Sequence, residues 1–109
     1  MIIGEVRTFP KAVPNKKQVI KVLEEAAEVF GAWQTWNTYH ELMEEYPICD
    51  NHEVHMIREA QKRDNLLDEC ADVIMAISNL VSGFGIDDFV EFMKKCEERQ
   101  EKRGRYDLH

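Results

Sequence analysis

Apolar residues return every three or four positions along most of this chain, and that period admits helices and little else. Val19, Leu23, Ala26, Ala27 and Phe30 share one helical stripe, which can continue through Trp33, Tyr39, Leu42 and Met43. A second stripe runs through Leu66, Cys70, Val73, Ile74, Ile77, Leu80, Val81 and Phe84, and a third through Phe89, Val90, Phe92, Met93 and Cys96. No strand-like alternation of useful length interrupts them. The expected fold is all-α, a bundle of three to four main helices.

Local chemistry sets the expected boundaries. Pro10, Pro14 and Asn15 make residues 1–15 an extended arm, with Asn15 as N-cap of the first helix. Gly31 and the run Thr35–Trp36–Asn37–Thr38 are weak helix formers and allow a kink there. Pro47 ends the region, and residues 46–52 form a connection in which Asp50 or Asn51 can cap the next helix. A second break is expected near Asp64–Asn65. Gly83 and Gly85 end the second stripe. Asp87 is expected to cap the last helix, with Ile86 as a hydrophobic staple. Gly104 stops that helix. The chain divides into an arm (1–15), one helical domain (16–106) and a short tail (107–109).

With 109 residues, the chain suits a single domain. A domain this short hides a smaller share of its surface than a large one. Association into a homodimer or homotetramer is therefore expected to cover the remaining apolar faces. Fourteen basic residues stand against twenty-one acidic ones, a net charge of −7. Nucleic-acid binding draws most of its affinity from basic excess, so a DNA or RNA partner is not expected. No stretch approaches the ~20 apolar residues that span a bilayer, so no membrane partner is expected either. Cys49, Cys70 and Cys96 lack framework spacing and read as reduced thiols of a cytoplasmic protein, with Cys70 and Cys96 as core filler.

The chemistry-bearing residues are acids. Glu24-Glu25-Ala26-Ala27-Glu28 lies on the first helix and Glu69-Cys70-Ala71-Asp72 on the second. Each contains an acid pair at i and i+3, which share a helix face and repel one another unless a cation intervenes. Glu24, Glu25 and Glu28 lie opposite the first apolar stripe, whereas Glu69 and Asp72 flank the second. Packed side by side, two such helices offer four convergent carboxylates, an all-oxygen set suited to Mg²⁺ or Mn²⁺. Spacing alone favours a solvated acidic face over a metal site.

These motifs, in this order, resemble the signature of MazG-like all-α nucleoside triphosphate pyrophosphohydrolases. Val22-Leu23 before the first motif, Leu67-Asp68 before the second, Gly85-Ile86-Asp87 and the charged ending Lys94–Tyr106 also look like small members of that family. The resemblance spans residues 16–106. It implies Mg²⁺-dependent hydrolysis of a nucleoside triphosphate to the monophosphate and pyrophosphate, with Glu25, Glu28, Glu69 and Asp72 as metal ligands. Forty residues lie between Glu28 and Glu69, more than is usual in the family. This longer segment, with Trp33, Trp36, Tyr39, Tyr46 and Pro47, reads as an added hairpin or a substrate lid.

Chemistry suggests further roles. Glu24, beside the cage, is a candidate to accept the proton of the attacking water. Lys95, Arg99, Lys102, Arg103 and Arg105 can grip phosphate or simply offset the helix dipole and neighbouring acids. Trp33 or Trp36 can stack on a base or fill a core or interface. Cys49-x-x-His52-x-x-His55 carries zinc-type donors, though a fourth ligand is not evident. A function of a different class, a non-enzymatic helical module that dimerises through its apolar stripes, also accommodates the helices and the acidic surface.

Overall fold

The computed structural model describes residues 1–45 and 52–107. Within them the chain forms α1 (Lys16–Glu45), α2 (His52–Ser82) and α3 (Val90–Lys102). The all-α expectation holds. No helix among the described residues is long and apolar enough to cross a membrane.

Asn15 caps α1 as expected: its side-chain oxygen accepts the Gln18 N–H at 3.0 Å. Neither expected break occurs. α1 runs unbroken through Gly31 and the 35–38 segment, and α2 through Asp64–Asn65. Weak propensity costs tenths of a kcal/mol per residue, and packing along a long partner overrides it. The Thr35 hydroxyl donates to the Gly31 carbonyl at 3.2 Å, holding that turn closed.

The two long helices form an antiparallel pair. Near one end the Gln18 side-chain amide donates to the Ala76 carbonyl at 3.1 Å. Near the other, the Tyr39 hydroxyl is hydrogen-bonded to His55 Nδ1 at 2.6 Å. His40 bridges the helices there, with Nδ1 2.7 Å from Glu59 and Nε2 2.9 Å from Glu44. The Glu59 hydrogen bond, opposed by desolvation and helped by Glu44, raises the His40 pKa above its ordinary value.

The covered positions of α1 include Gln18, Val22, Glu25, Val29, Ala32, Trp36, Tyr39 and Met43; those of α2 include His55, Glu59, Lys62, Leu66, Glu69, Val73, Ala76 and Leu80. Steps of four and three alternate along both, the spacing of a two-helix seam. This corrects the expected α1 core. Val19, Leu23, Ala26, Ala27 and Phe30 lie on exposed positions, with Leu23 65% and Phe30 58% exposed. A helix with one neighbour covers one stripe, and the seam took the opposite stripe, the one that contains Glu25. The α2 stripe is half-buried as expected, except for exposed Ile77 and Phe84.

α3 begins at Val90, later than a cap at Asp87 requires. Asp88, not Asp87, serves the first turn, accepting the Val90 N–H at 3.0 Å. Its end is a Schellman motif. The Arg105 N–H reaches the Gln100 carbonyl and the Gly104 N–H reaches Glu101, with Gly104 at φ +71°. The stripe of Phe89, Val90, Phe92 and Met93 is exposed rather than buried, because α3 makes no close backbone contact with α1 or α2. Cys70 and Cys96 are half-buried free thiols.

The arm is tied down on α2. The Asn79 side-chain oxygen, fully buried, accepts the Phe9 N–H at 2.8 Å, and the Thr8 and Ser82 hydroxyls lie 3.1 Å apart. Gly83 packs directly against the arm backbone. A Cβ there would come within 2.7 Å of Pro14 N and Val13 C, which are main-chain atoms without a side chain's freedom to rotate away. Gly83→Ala is therefore expected to lift the arm and cost about 1–3 kcal/mol. Urea unfolding and proteolysis between residues 1 and 15 check this; an unchanged midpoint with an equally protected arm contradicts it.

Candidate metal centre

Midway along the hairpin, Glu25 and Glu28 on α1 face Glu69 and Asp72 on α2. One carboxylate oxygen from each lies within 4.8 Å of all the others. The i, i+3 spacing aims each pair from one helix face, and the antiparallel packing brings the two faces together. Oxygens on opposite sides of an Mg²⁺ ion are about 4.2 Å apart, twice the ~2.1 Å bond length. Oxygens on adjacent corners are about 3.0 Å apart, so pairs that become adjacent close by up to about 2 Å, through side-chain rotation.

Burial divides the four into a floor and a rim. Glu25 is 7% exposed and Glu69 half-buried, whereas Glu28 and Asp72 are exposed. Glu25 Oε1 accepts a hydrogen bond from Lys21 Nζ at 2.7 Å. Glu25 Oε2 and Glu69 Oε2 are buried with no hydrogen-bond partner. A buried, unsatisfied carboxylate oxygen is costly, and a hard cation supplies what it lacks.

The electrostatics agree. The Lys21 hydrogen bond holds the Glu25 pKa below its ordinary value against the opposing effect of burial. Glu28 is raised, first by its hydrogen bond with Glu69 and then by the charge of Glu25. A raised carboxylate favours its protonated form in the folded state. Stability contributed by Glu28 is therefore lost as pH rises through its titration, leaving a repulsive cost at neutral pH.

The remaining candidates are spread out. Glu24 is exposed and outside the four-oxygen set. Trp33 stacks on Phe30 with ring centres 6.0 Å apart, and Trp36 stacks on His40 at 4.8 Å. Lys95, Arg99, Lys102 and Arg103 are exposed on α3 and at its end, which does not approach the long helices. Lys95 lies over the Phe92 ring. Of the zinc-type trio, His52 is exposed, His55 is engaged by Tyr39, and Cys49 lies outside the described residues. Tyr46, Pro47, Asp50 and Asn51 lie outside them as well.

Two cations that the motifs did not single out do stand beside the cage. Lys21 precedes Glu25 by one helical turn. Lys62 precedes Glu69 by two turns and lines a cavity of about 440 Å³ with Glu28, Glu69, Thr35, Asn65 and Asp68. The signal was the helical offset from the acids, obscured by the expected break at Asp64–Asn65. Neither tryptophan lines this cavity.

Glu28→Gln is expected to raise the melting temperature in chelator, by removing like-charge repulsion, and to weaken the stabilisation that added Mg²⁺ or Mn²⁺ gives the wild type. Thermal melts with and without metal check both; a lower melting temperature in chelator contradicts the repulsion assigned here. Comparison with protein-family models, curated proteins and solved structures gave no match to this chain, so its chemistry is read from these residues themselves.

Proposed function

We propose that this chain is a Mg²⁺-dependent pyrophosphohydrolase of the MazG-like type, converting a nucleoside triphosphate and water to the monophosphate and pyrophosphate. The observation that carries the reading is the convergence of Glu25, Glu28, Glu69 and Asp72, two of them with unpartnered buried oxygens. A hard cation held there neutralises phosphate charge and polarises the phosphorus under attack.

The chain's residues divide the remaining work. Glu25 and Glu69 anchor the floor, while Glu28 and Asp72 keep the open side of the cage towards substrate. The oxygen of the attacking water bonds to the α-phosphorus as the bridge to the β-phosphate breaks, and that electron pair leaves with pyrophosphate. Glu24, outside the four-oxygen set and one residue from Glu25, is the carboxylate free to take the water's proton. The cavity beside Glu28 and Glu69 offers Thr35, Asn65 and Lys62 as polar contacts for the nucleoside.

The same reading includes a homo-oligomer. The chain exposes 9283 Å², against about 6300 Å² for a compact monomer of this mass. Its radius of gyration is 18.3 Å, against roughly 13 Å for a compact chain of this length. A second copy covering Leu23, Phe30 and the α3 stripe removes part of that surface from water. In such an assembly, α3 of one copy can bring Lys95, Arg99, Lys102 and Arg103 to the cage of another.

Glu69→Gln and Asp72→Asn are each expected to reduce pyrophosphate release from a nucleotide panel at least a hundredfold while leaving far-ultraviolet circular dichroism unchanged. Wild-type rates in both variants rule out the catalytic assignment. A wild type that assembles but releases no pyrophosphate from any nucleotide, with Mg²⁺ or Mn²⁺, points instead to a helical interaction module. Sedimentation is expected to show a dimer or tetramer at micromolar concentration; a compact monomer contradicts the oligomer.

A further inference from the structure

A second cavity beside the cage lies at the start of α1, where the arm folds back over the first two turns. It has a volume of about 990 Å³, with Phe9 and Ile20 among its apolar walls, Lys11, Lys16, Lys17 and Lys21 as its cations, and the Glu24 carboxylate also in its lining, on the side towards the cage. Four of the fourteen basic residues of a net-acidic chain thus surround one cavity.

That concentration runs against local electrostatics. The first turn of α1 contains no acid, and Lys16 and Lys17 sit at the positive end of the helix dipole, where cations are disfavoured. Among the described residues, Lys11, Lys16 and Lys17 form no ion pair. An anion in the cavity turns each of these repulsive terms into an attractive one. Four cations spread over several residues suit an extended polyanion better than a single phosphate.

Lys21 joins this cavity to the cage. Its side chain is 54% exposed and lines the cavity, yet its ammonium group is bonded to Glu25 Oε1 at 2.7 Å. A metal ion and an ammonium group compete for that oxygen. Along α1 the order is lysine cavity, four acids, and then the Thr35–Lys62 cavity, which matches the order of phosphate tail, reacting phosphate and nucleoside in a triphosphate.

We infer that the lysine cavity is the polyphosphate subsite of the acid cage, and that Lys21 exchanges Glu25 for the phosphate tail when a divalent cation takes Glu25. The inference rests on the hydrolase reading and adds a place and partners for the pyrophosphate half of the substrate.

Isothermal calorimetry on the full chain tests it, with Mn²⁺ alone and then inorganic pyrophosphate in the presence of Mn²⁺ as probes. The double substitution Lys16→Gln, Lys17→Gln is expected to weaken pyrophosphate binding about tenfold or more, with Mn²⁺ affinity unchanged. Lys21→Met is expected to bind Mn²⁺ more tightly than wild type, its internal competitor being gone, and to bind pyrophosphate more weakly. If wild type binds Mn²⁺ but the double variant binds pyrophosphate equally well, the subsite is wrong and the hydrolase reading stands. If Lys21→Met leaves Mn²⁺ affinity unchanged or lowers it, the exchange is wrong. If wild type binds no Mn²⁺, the hydrolase reading itself fails, and the subsite with it.

Discussion

Glu25 and Glu69 occupy positions in the α1–α2 seam that helix packing ordinarily gives to leucine or alanine. Carboxylates there give up solvation, and the packing around them returns little. Lys21 compensates one oxygen of Glu25, while the second oxygen and its counterpart on Glu69 have no hydrogen-bond partner. The hairpin therefore concentrates unfavourable electrostatics at its middle. Val22, Val29, Leu66 and Val73, on either side along the seam, carry the apolar contacts that hold it together. Such a local conflict inside an otherwise consistent helix pair is what a built ion site looks like before its ion is considered.

Placing acids in the seam also decides what the rest of α1 presents. The seam runs along the stripe Gln18–Val22–Glu25–Val29–Ala32–Trp36, so the more apolar stripe through Leu23 and Phe30 faces outward. Ala76 is the one apolar residue buried in the chain's own core among the described residues. Two helices in contact cover one face each, and α3 stands apart with its own stripe uncovered. The unusual site and the unusually open surface thus share a cause: the face of α1 that meets α2 is the one that carries the acids, and the greasier face stays uncovered.

Three sets of cations differ in their relation to the acids. Those of α3 lie away from the cage in a single chain. Lys62 reaches the cavity on one side of it, and Lys21, with three more lysines, the cavity on the other. An acidic centre with basic flanks is electrostatically suited to a ligand that is itself anionic and needs a cation in between. The arm contributes directly, since Asn79 and Gly83 hold Phe9, Val13 and Pro14 in place and so shape the wall of the lysine cavity.

The helical class, the Asn15 cap, the Gly104 stop and the membership of the four-acid set were legible from the amino-acid order, because periods of 3.6 residues and capping chemistry are local properties. The continuity of α1 and α2 was not. It depends on a partner helix outweighing weak propensities at Gly31 and Asp64–Asn65. Nor was the buried face of α1. Two stripes on opposite faces, one through Leu23 and one through Glu25, both satisfy helical spacing, and only the contact with α2 selects between them. The order of residues determined that acids would share helix faces; the tertiary packing decided that those faces meet each other and that Lys21 and Lys62, rather than the α3 cations, stand beside them. The physical reason is range: periodicity acts within a few turns, whereas convergence of charges from residues 25 and 69 depends on how two whole helices are laid together.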